Sequence, residues 1–152
     1  MATGDLTIFN ALSETIGQEL HDFSNDVLRA GIVTGVTPSQ NEASPTWATY
    51  SANEITTGTS YASGGPAVTS TWVRSGGTTT LACESETIEK DVSGQSSATC
   101  WAILYNFSST AKNAIAFIEL GTIDLTISNV VLKFQSKPDG ESGTVLTVYL
   151  VN

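Results

Sequence analysis

The run Cys100-Trp101-Ala102-Ile103-Leu104-Tyr105, followed by Ile115-Ala116-Phe117-Ile118-Glu119-Leu120-Gly121 and then by residues 123–134, decides the fold. Apolar density peaks here, the residues are β-branched or aromatic, and each run has the length of a strand, which predicts the middle of a sheet. Trp101, Ile103, Tyr105 and Phe107 share one face of the first run. Along the third run the apolar set Ile123, Leu125, Ile127 gives way to Val130, Leu132, Phe134, a phase slip that predicts a bulge at Ser128-Asn129. Lys137-Pro138-Asp139-Gly140 is a turn, and beyond it Leu146, Val148 and Leu150 are expected to face inward on a closing strand over 144–151.

Working outward, Leu28, Ala30 and Ile32 alternate with Arg29, Gly31 and Val33, the period-two pattern of a strand over 26–35. Residues 67–74 and 78–88 read as two more strands around the turn Ser75-Gly76-Gly77. Ile8, Leu12, Ile16 and Leu20 recur every four residues, which predicts one short helix capped by Thr7 or Asp5, the only helix of the chain. From 37 to 65 Pro38, Pro45, Gly58, Gly64 and Gly65 punctuate a long loop, ordered by the spaced anchors Trp47, Tyr50, Ile55 and Tyr61. The sum is an all-β, single-domain β-sandwich or jelly roll of about seven or eight strands with a short N-terminal helix. Residues 1–8 form an N-terminal segment able to extend as an arm, and residues 9–152 the domain with its long loop 37–65.

A chain of 152 residues suffices for one such core. Six basic against fifteen acidic residues give a net charge of −9, which repels phosphate backbones and anionic lipid, so neither nucleic acid nor membrane is an expected partner. No secretion signal or bilayer-spanning run is visible, and a protein made and kept soluble in the cytoplasm is expected. Charged residues are only 14% of the chain, below the roughly 25% usual for soluble domains, so the surface is polar but weakly charged.

No reaction is spelled out. His21 is the only histidine and sits at the polar end of the predicted helix, as a solvated side chain rather than a general base. Glu84, Glu86, Glu89, Glu119 and Asp124 are candidates for paired-carboxylate chemistry only by being acidic. Asp91, Asp139 and Glu141 lack the spacing of a calcium loop, and no phosphate loop is present, so no metal and no cofactor is expected. Cys83 and Cys100 lie on runs able to neighbour one another; two reduced buried thiols are preferred to a disulfide. Asn106-Phe107-Ser108 matches a glycosylation triplet by accident. Trp47, Trp72 and Trp101 are expected in a core or a subunit interface rather than on a sugar platform.

The order of segments carries one resemblance. Phe9-Asn10-Ala11-Leu12 and a short helix, then Asn25-Asp26-Val27-Leu28-Arg29-Ala30-Gly31-Ile32-Val33-Thr34, then Ser51-Ala52-Asn53-Glu54-Ile55, Gly58-Thr59-Ser60-Tyr61 and Gly64-Gly65, resembles a family of small tailed-bacteriophage virion proteins. Those proteins have a DTLKVALLTS strand followed by a SANEVSGTGYTAGG loop. Trp101-Ala102-Ile103-Leu104-Tyr105 and Glu119-Leu120-Gly121 are similar to later strands of that family, while Arg29 stands where it often has Lys.

The resemblance implies a structural protein without catalysis, a capsid decoration or cement protein on the virion surface. A tail-associated role, or a glycan-binding host-recognition role using Trp47 and Tyr61, is the alternative. Its partners would be the major capsid protein and further copies of itself, as a trimer or dimer. The expected contact residues are Ala2, Thr3, Asp5, Leu6 and Ile8 of the N-terminal segment, and Trp47, Tyr50, Asn53, Glu54 and Tyr61 of the long loop.

Overall fold

The structure, a computed structural model, describes residues 4–134 in full and 144–149 as backbone. Its centre is the antiparallel pair β7 (Ala98–Asn106) and β8 (Ala114–Ile123), flanked by β1 (Leu6–Ile8) beside β8 and β2 (Leu28–Thr34) beside β7. With β3 (Ala67–Val68) at the far edge these make a five-stranded sheet in the order β1-β8-β7-β2-β3. A three-stranded sheet runs β10 (Thr144–Tyr149), β5 (Thr78–Cys83), β4 (Ser70–Ser75), and β6 (Glu86–Ile88) pairs with β9 (Val130–Leu132). The chain is therefore all-β, as its patterning predicts, with ten strands among the described residues. No described helix is long and apolar enough to cross a membrane.

Both faces of the large sheet are buried, because both alternating sets of β7 are apolar. Cys100, Ala102 and Leu104 meet Leu28, Ala30, Ile32 and Ile118, and this face packs on Leu81 and Cys83 of β5, Ile88 of β6 and Leu132 of β9. That layer makes the sandwich. Ile103 and Tyr105 point the other way, into a second core with Phe9, Val33, Trp47, Tyr50, Ala114 and Phe117. The long loop covers this second face: the Trp47 indole stacks on the Tyr105 ring at 4.9 Å and 7°.

Several details differ from the sequence expectation. Residues 67–74 and 78–88 each split into two strands that change sheet, at Thr69 and at Glu84-Ser85, and the Glu84 N–H closes this corner by donating to the Thr69 carbonyl at 2.9 Å. No bulge sits at Ser128-Asn129. Asp124 turns the chain there, its side chain accepting from the Thr126 N–H and its carbonyl from the Ser128 N–H, and this ends β8 and starts β9 in another sheet. Register shifts lie instead between β7 and β8, where Leu120 and Ile115 are the extra residues, and between β10 and β5 near Thr144.

The helix α1 covers only Leu12–Gly17, with Ala11 rather than Thr7 or Asp5 at its N-cap. Glu19 has φ of 58°, so the pattern cannot continue, and Ile16 and Leu20 are left exposed. A second helix, α2 (Trp47–Tyr50), runs into a 3-10 turn over Ser51–Asn53. Nor is the N-terminal segment an arm from residue 6 onward, since Leu6–Ile8 pairs with β8 and Leu6 is buried. Cys83 and Cys100 are free and buried, on strands of different sheets. The turn at 137–140, Asp139, Glu141 and the inward faces of Leu146, Val148 and Leu150 fall outside the described residues or side chains.

Gly31 is the point where the second core is closest to the sheet. A Cβ there would collide with the six-membered ring of Trp47. Replacing Gly31 by Ala is expected to cost about 1–3 kcal/mol by overpacking. In urea unfolding the loss should be smaller when Trp47 is already Leu, because the two changes share one contact.

Candidate functional site

The long loop is the stretch the resemblance singles out, and its side chains turn inward. After the 3-10 turn, Glu54 bridges to Val33, and the Ile55 N–H donates to the Ile32 carbonyl at 3.0 Å, so the loop briefly extends the pairing of β2. Tyr61 then crosses back over the strand. Its hydroxyl accepts from the Ile32 N–H at 2.8 Å and donates to Glu54 Oε1 at 2.9 Å. The same carboxylate accepts from the Gly64 N–H at 2.6 Å and from the Ser63 hydroxyl at 2.9 Å. Gly64 and Gly65 have φ of 83° and 74°, and a Cβ on Gly65 would run into the Ala30 carbonyl, so glycine is required at this approach. Tyr105 closes the circuit by donating to the Gly64 carbonyl at 2.8 Å.

This arrangement relocates the predicted contact residues. Trp47, Tyr50 and Tyr61 are at most 7% exposed and line the fold's own interior, so they offer no stacking surface to a glycan or to a neighbour. Trp47 and Tyr50 cover the second face of the sheet, which would otherwise meet water, and Tyr61 packs into the first core. Glu54 is half-buried and committed to the loop, Asn53 is half-buried beside it, and Leu6 is buried under β8. Asp5 and Ile8 stay partly exposed at the N-terminal edge, and Ala2 and Thr3 lie outside the described residues.

Two further polar clusters pin loops. Asp91, 8% exposed, accepts from the Thr59, Ser60 and Ser93 N–H groups and from the Ser93 hydroxyl. The Ser93 hydroxyl is the largest of the donor effects that hold its carboxyl down at about 2, against an ordinary value of 3.8. Asn106 is fully buried, which removes the glycosylation triplet from solvent. Its Oδ1 accepts from the Ser108 and Ser109 N–H groups, which fixes its amide to face Leu20, His21 and Asp26.

Thr15, His21 and Asn106 have the outline of a nucleophile, base and orienter, at 3.0 and 3.2 Å. The polarity is wrong for catalysis. The Asn106 amide nitrogen can only donate, so Nδ1 of His21 must be the acceptor and Nε2 carries the proton toward Thr15. An imidazole so arranged cannot take the threonine proton. Burial lowers the His21 pKa below its ordinary 6.5, with Asp26 pulling weakly the other way. Among the described residues no three His, Cys, Asp or Glu side chains converge to hold a metal.

Sequence reading did not single out one surface cluster. The Arg29 guanidinium lies 4.2 Å from the centre of the Phe107 ring, and the Lys112 ammonium 4.9 Å from it. The available signal was scarcity: two of only six basic residues flank one aromatic, brought together by the pairing of β2 with β7 and by the turn after it.

No protein-family model matches the chain, and no curated protein or solved structure matches it.

The tyrosines separate the interior contacts that matter. Tyr61→Phe should cost about 1–3 kcal/mol in urea unfolding, because it orphans the Ile32 N–H and one face of the Glu54 carboxylate. Tyr50→Phe should be neutral or stabilising, since the buried Tyr50 hydroxyl has no partner among the described residues and its pKa is pushed up to about 12, first by burial and then by Glu42. Acid should act in two steps. The contribution of neutral His21 is complete above its ordinary 6.5 and is lost as the pH falls below that value, a loss that His21→Gln abolishes. That of Asp91 is complete above 3.8 and is lost as the pH falls through about 2.

Proposed function

We propose that this chain is a virion structural protein of a tailed phage, a capsid decoration or cement protein that oligomerises on the outer face of the assembled head. The observation that carries this reading is the ordered resemblance of residues 9–12, 25–34 and 51–65 to that virion family. The structure gives those motif residues a common physical role, because Gly31, Ile32, Glu54, Tyr61, Gly64 and Gly65 are the contacts that clamp the loop to β2. A protein that binds only the assembled shell lowers its free energy relative to the ruptured state by mass action, and needs no reaction to do so.

With the loop aromatics inside the fold, the contact surface on this reading shifts to the N-terminal edge. There Asp5 lines a groove of about 390 Å³ together with Leu120, the exposed Val131 and Lys133. A protein of net charge −9 requires basic patches on the shell, so added salt weakens attachment. A glycan-binding role loses its proposed platform, since Trp47 and Tyr61 are both buried.

An intact-particle reconstruction tests the reading. Density for this fold is expected at junctions between capsid subunits, and particles stripped of it should rupture at lower temperature. Absence of the protein from purified virions, or turnover of a substrate by the purified chain, would overturn the proposal.

A further inference from the structure

We propose that Arg29, Phe107 and Lys112 form a cationic notch that docks an acidic segment of a different polypeptide, its Asp or Glu side chains taken by the two cations. The three side chains meet where β2, the end of β7 and the following turn converge, and Phe107 and Val27 are 38% and 46% exposed there. Arg29 and Lys112 are both partly exposed. Each cation approaches the Phe107 ring, and among the described residues neither forms an ion pair. Such a chain has no shortage of acids to pair with them: fifteen are present, and Glu54 and Asp26 are committed elsewhere. Glu54 is taken up by Tyr61, Ser63 and Gly64, and Asp26 by Asn106 and the Asp22 N–H.

The backbone fixes the notch in place. Lys112 sits at φ of 53°, a conformation that glycine adopts at no cost and a lysine does not. Its N–H donates to the Ser109 carbonyl and its own carbonyl accepts from the Trp47 N–H, so the strained residue is held between the turn and the long loop. On the other side the Arg29 Nε–H is covered without an acceptor among the described residues, and the guanidinium lies beside Gly64. The fold thus sets two positive charges against one ring, each partly exposed, with no ion pair to a carboxylate among the described residues.

An incoming acidic segment gains a charge-assisted hydrogen bond at each cation it reaches, the guanidinium or the ammonium. Phe107 and Val27 exclude water around them, which strengthens the attraction. A second copy of this chain is the poorer occupant, since each copy brings a net charge of −9 to the encounter. The inference does not rest on the virion reading, because it is tested on the isolated protein.

The probe is a capped hexaglutamate peptide, titrated into the full chain at low ionic strength and followed by NMR of the arginine and lysine side chains. Saturable shifts of Arg29 and Lys112 are expected. Lys112→Gln should weaken binding roughly fivefold or more, whereas Lys90→Gln and Arg74→Gln, which alter exposed cations elsewhere, should leave it unchanged. Backbone amide spectra that stay constant away from the turn show that the Lys112 variant is folded. The proposal is overturned if all three variants weaken binding alike, which marks nonspecific attraction, or if inorganic phosphate displaces the peptide at equal concentration, which marks a general anion site. It is equally overturned if Lys112→Gln changes the sedimentation of the protein alone, because the occupant is then a second copy.

Discussion

The fold depends on covering both faces of one sheet. A central pair of strands with apolar residues at every position, Cys100 through Tyr105 against Ala114 through Ile118, cannot leave either face in water, and each exposed large side chain would forfeit about 1.5–3 kcal/mol. One face is met by ordinary means, the smaller sheets. The other is met by Trp47 and Tyr50 of the one-turn helix α2, fixed by its Thr46 and Thr49 cap and by the Trp47 N–H donating to the Lys112 carbonyl. Glu54 holds the stretch that follows, which has no ladder of its own. One half-buried carboxylate takes three donors from three neighbouring residues of the loop, while the tyrosine it binds also satisfies the one N–H of β2 that faces it.

How much of this was legible follows from the same constraint. The all-β class and the central runs could be read from period and composition, because those depend on the sheet alone. What could not be read was that two cores were present. Along β7 the sequence shows Trp101, Ile103 and Tyr105 on one face, but Ala102 and Leu104 on the other are equally apolar, which is the mark of a strand buried on both sides. Taken seriously, that pattern demands a second cover, and the loop segment with Trp47 and Tyr50 supplies it, while Tyr61 of the same loop packs into the first core. Reading those rings as contact residues treated as outward what the sheet required inward.

The remaining misreadings are local. The four-residue repeat of Ile8, Leu12, Ile16 and Leu20 counts apolar residues without asking whether the backbone can continue, and it ends at Gly17 because the chain must turn to place His21 and Phe23 over the end of the sheet. The phase slip near Ser128 was a real signal with the wrong cause. A bulge keeps a strand in its sheet, whereas Asp124 caps a turn that sends the chain into another one. Neither the sheet changes at Thr69 and Ser85 nor that turn could be seen from alternation, since period two is the same in either sheet.

Charge is used in an unusual division of labour for so acidic a chain. The carboxylates that matter to the fold, Glu54, Asp91, Asp26 and Asp124, are satisfied by backbone N–H groups, hydroxyls and one amide rather than by Lys or Arg. Arg29 and Lys112 lean on the Phe107 ring instead. Hydrogen bonds to dipoles of fixed backbone are short-ranged and little screened, while attraction between separate charged surfaces falls away within about 8 Å at physiological salt. Folding and docking therefore answer to different variables. Ionic strength can weaken attraction at the charged surface without loosening the sheet beneath, so added salt need not expose either apolar core.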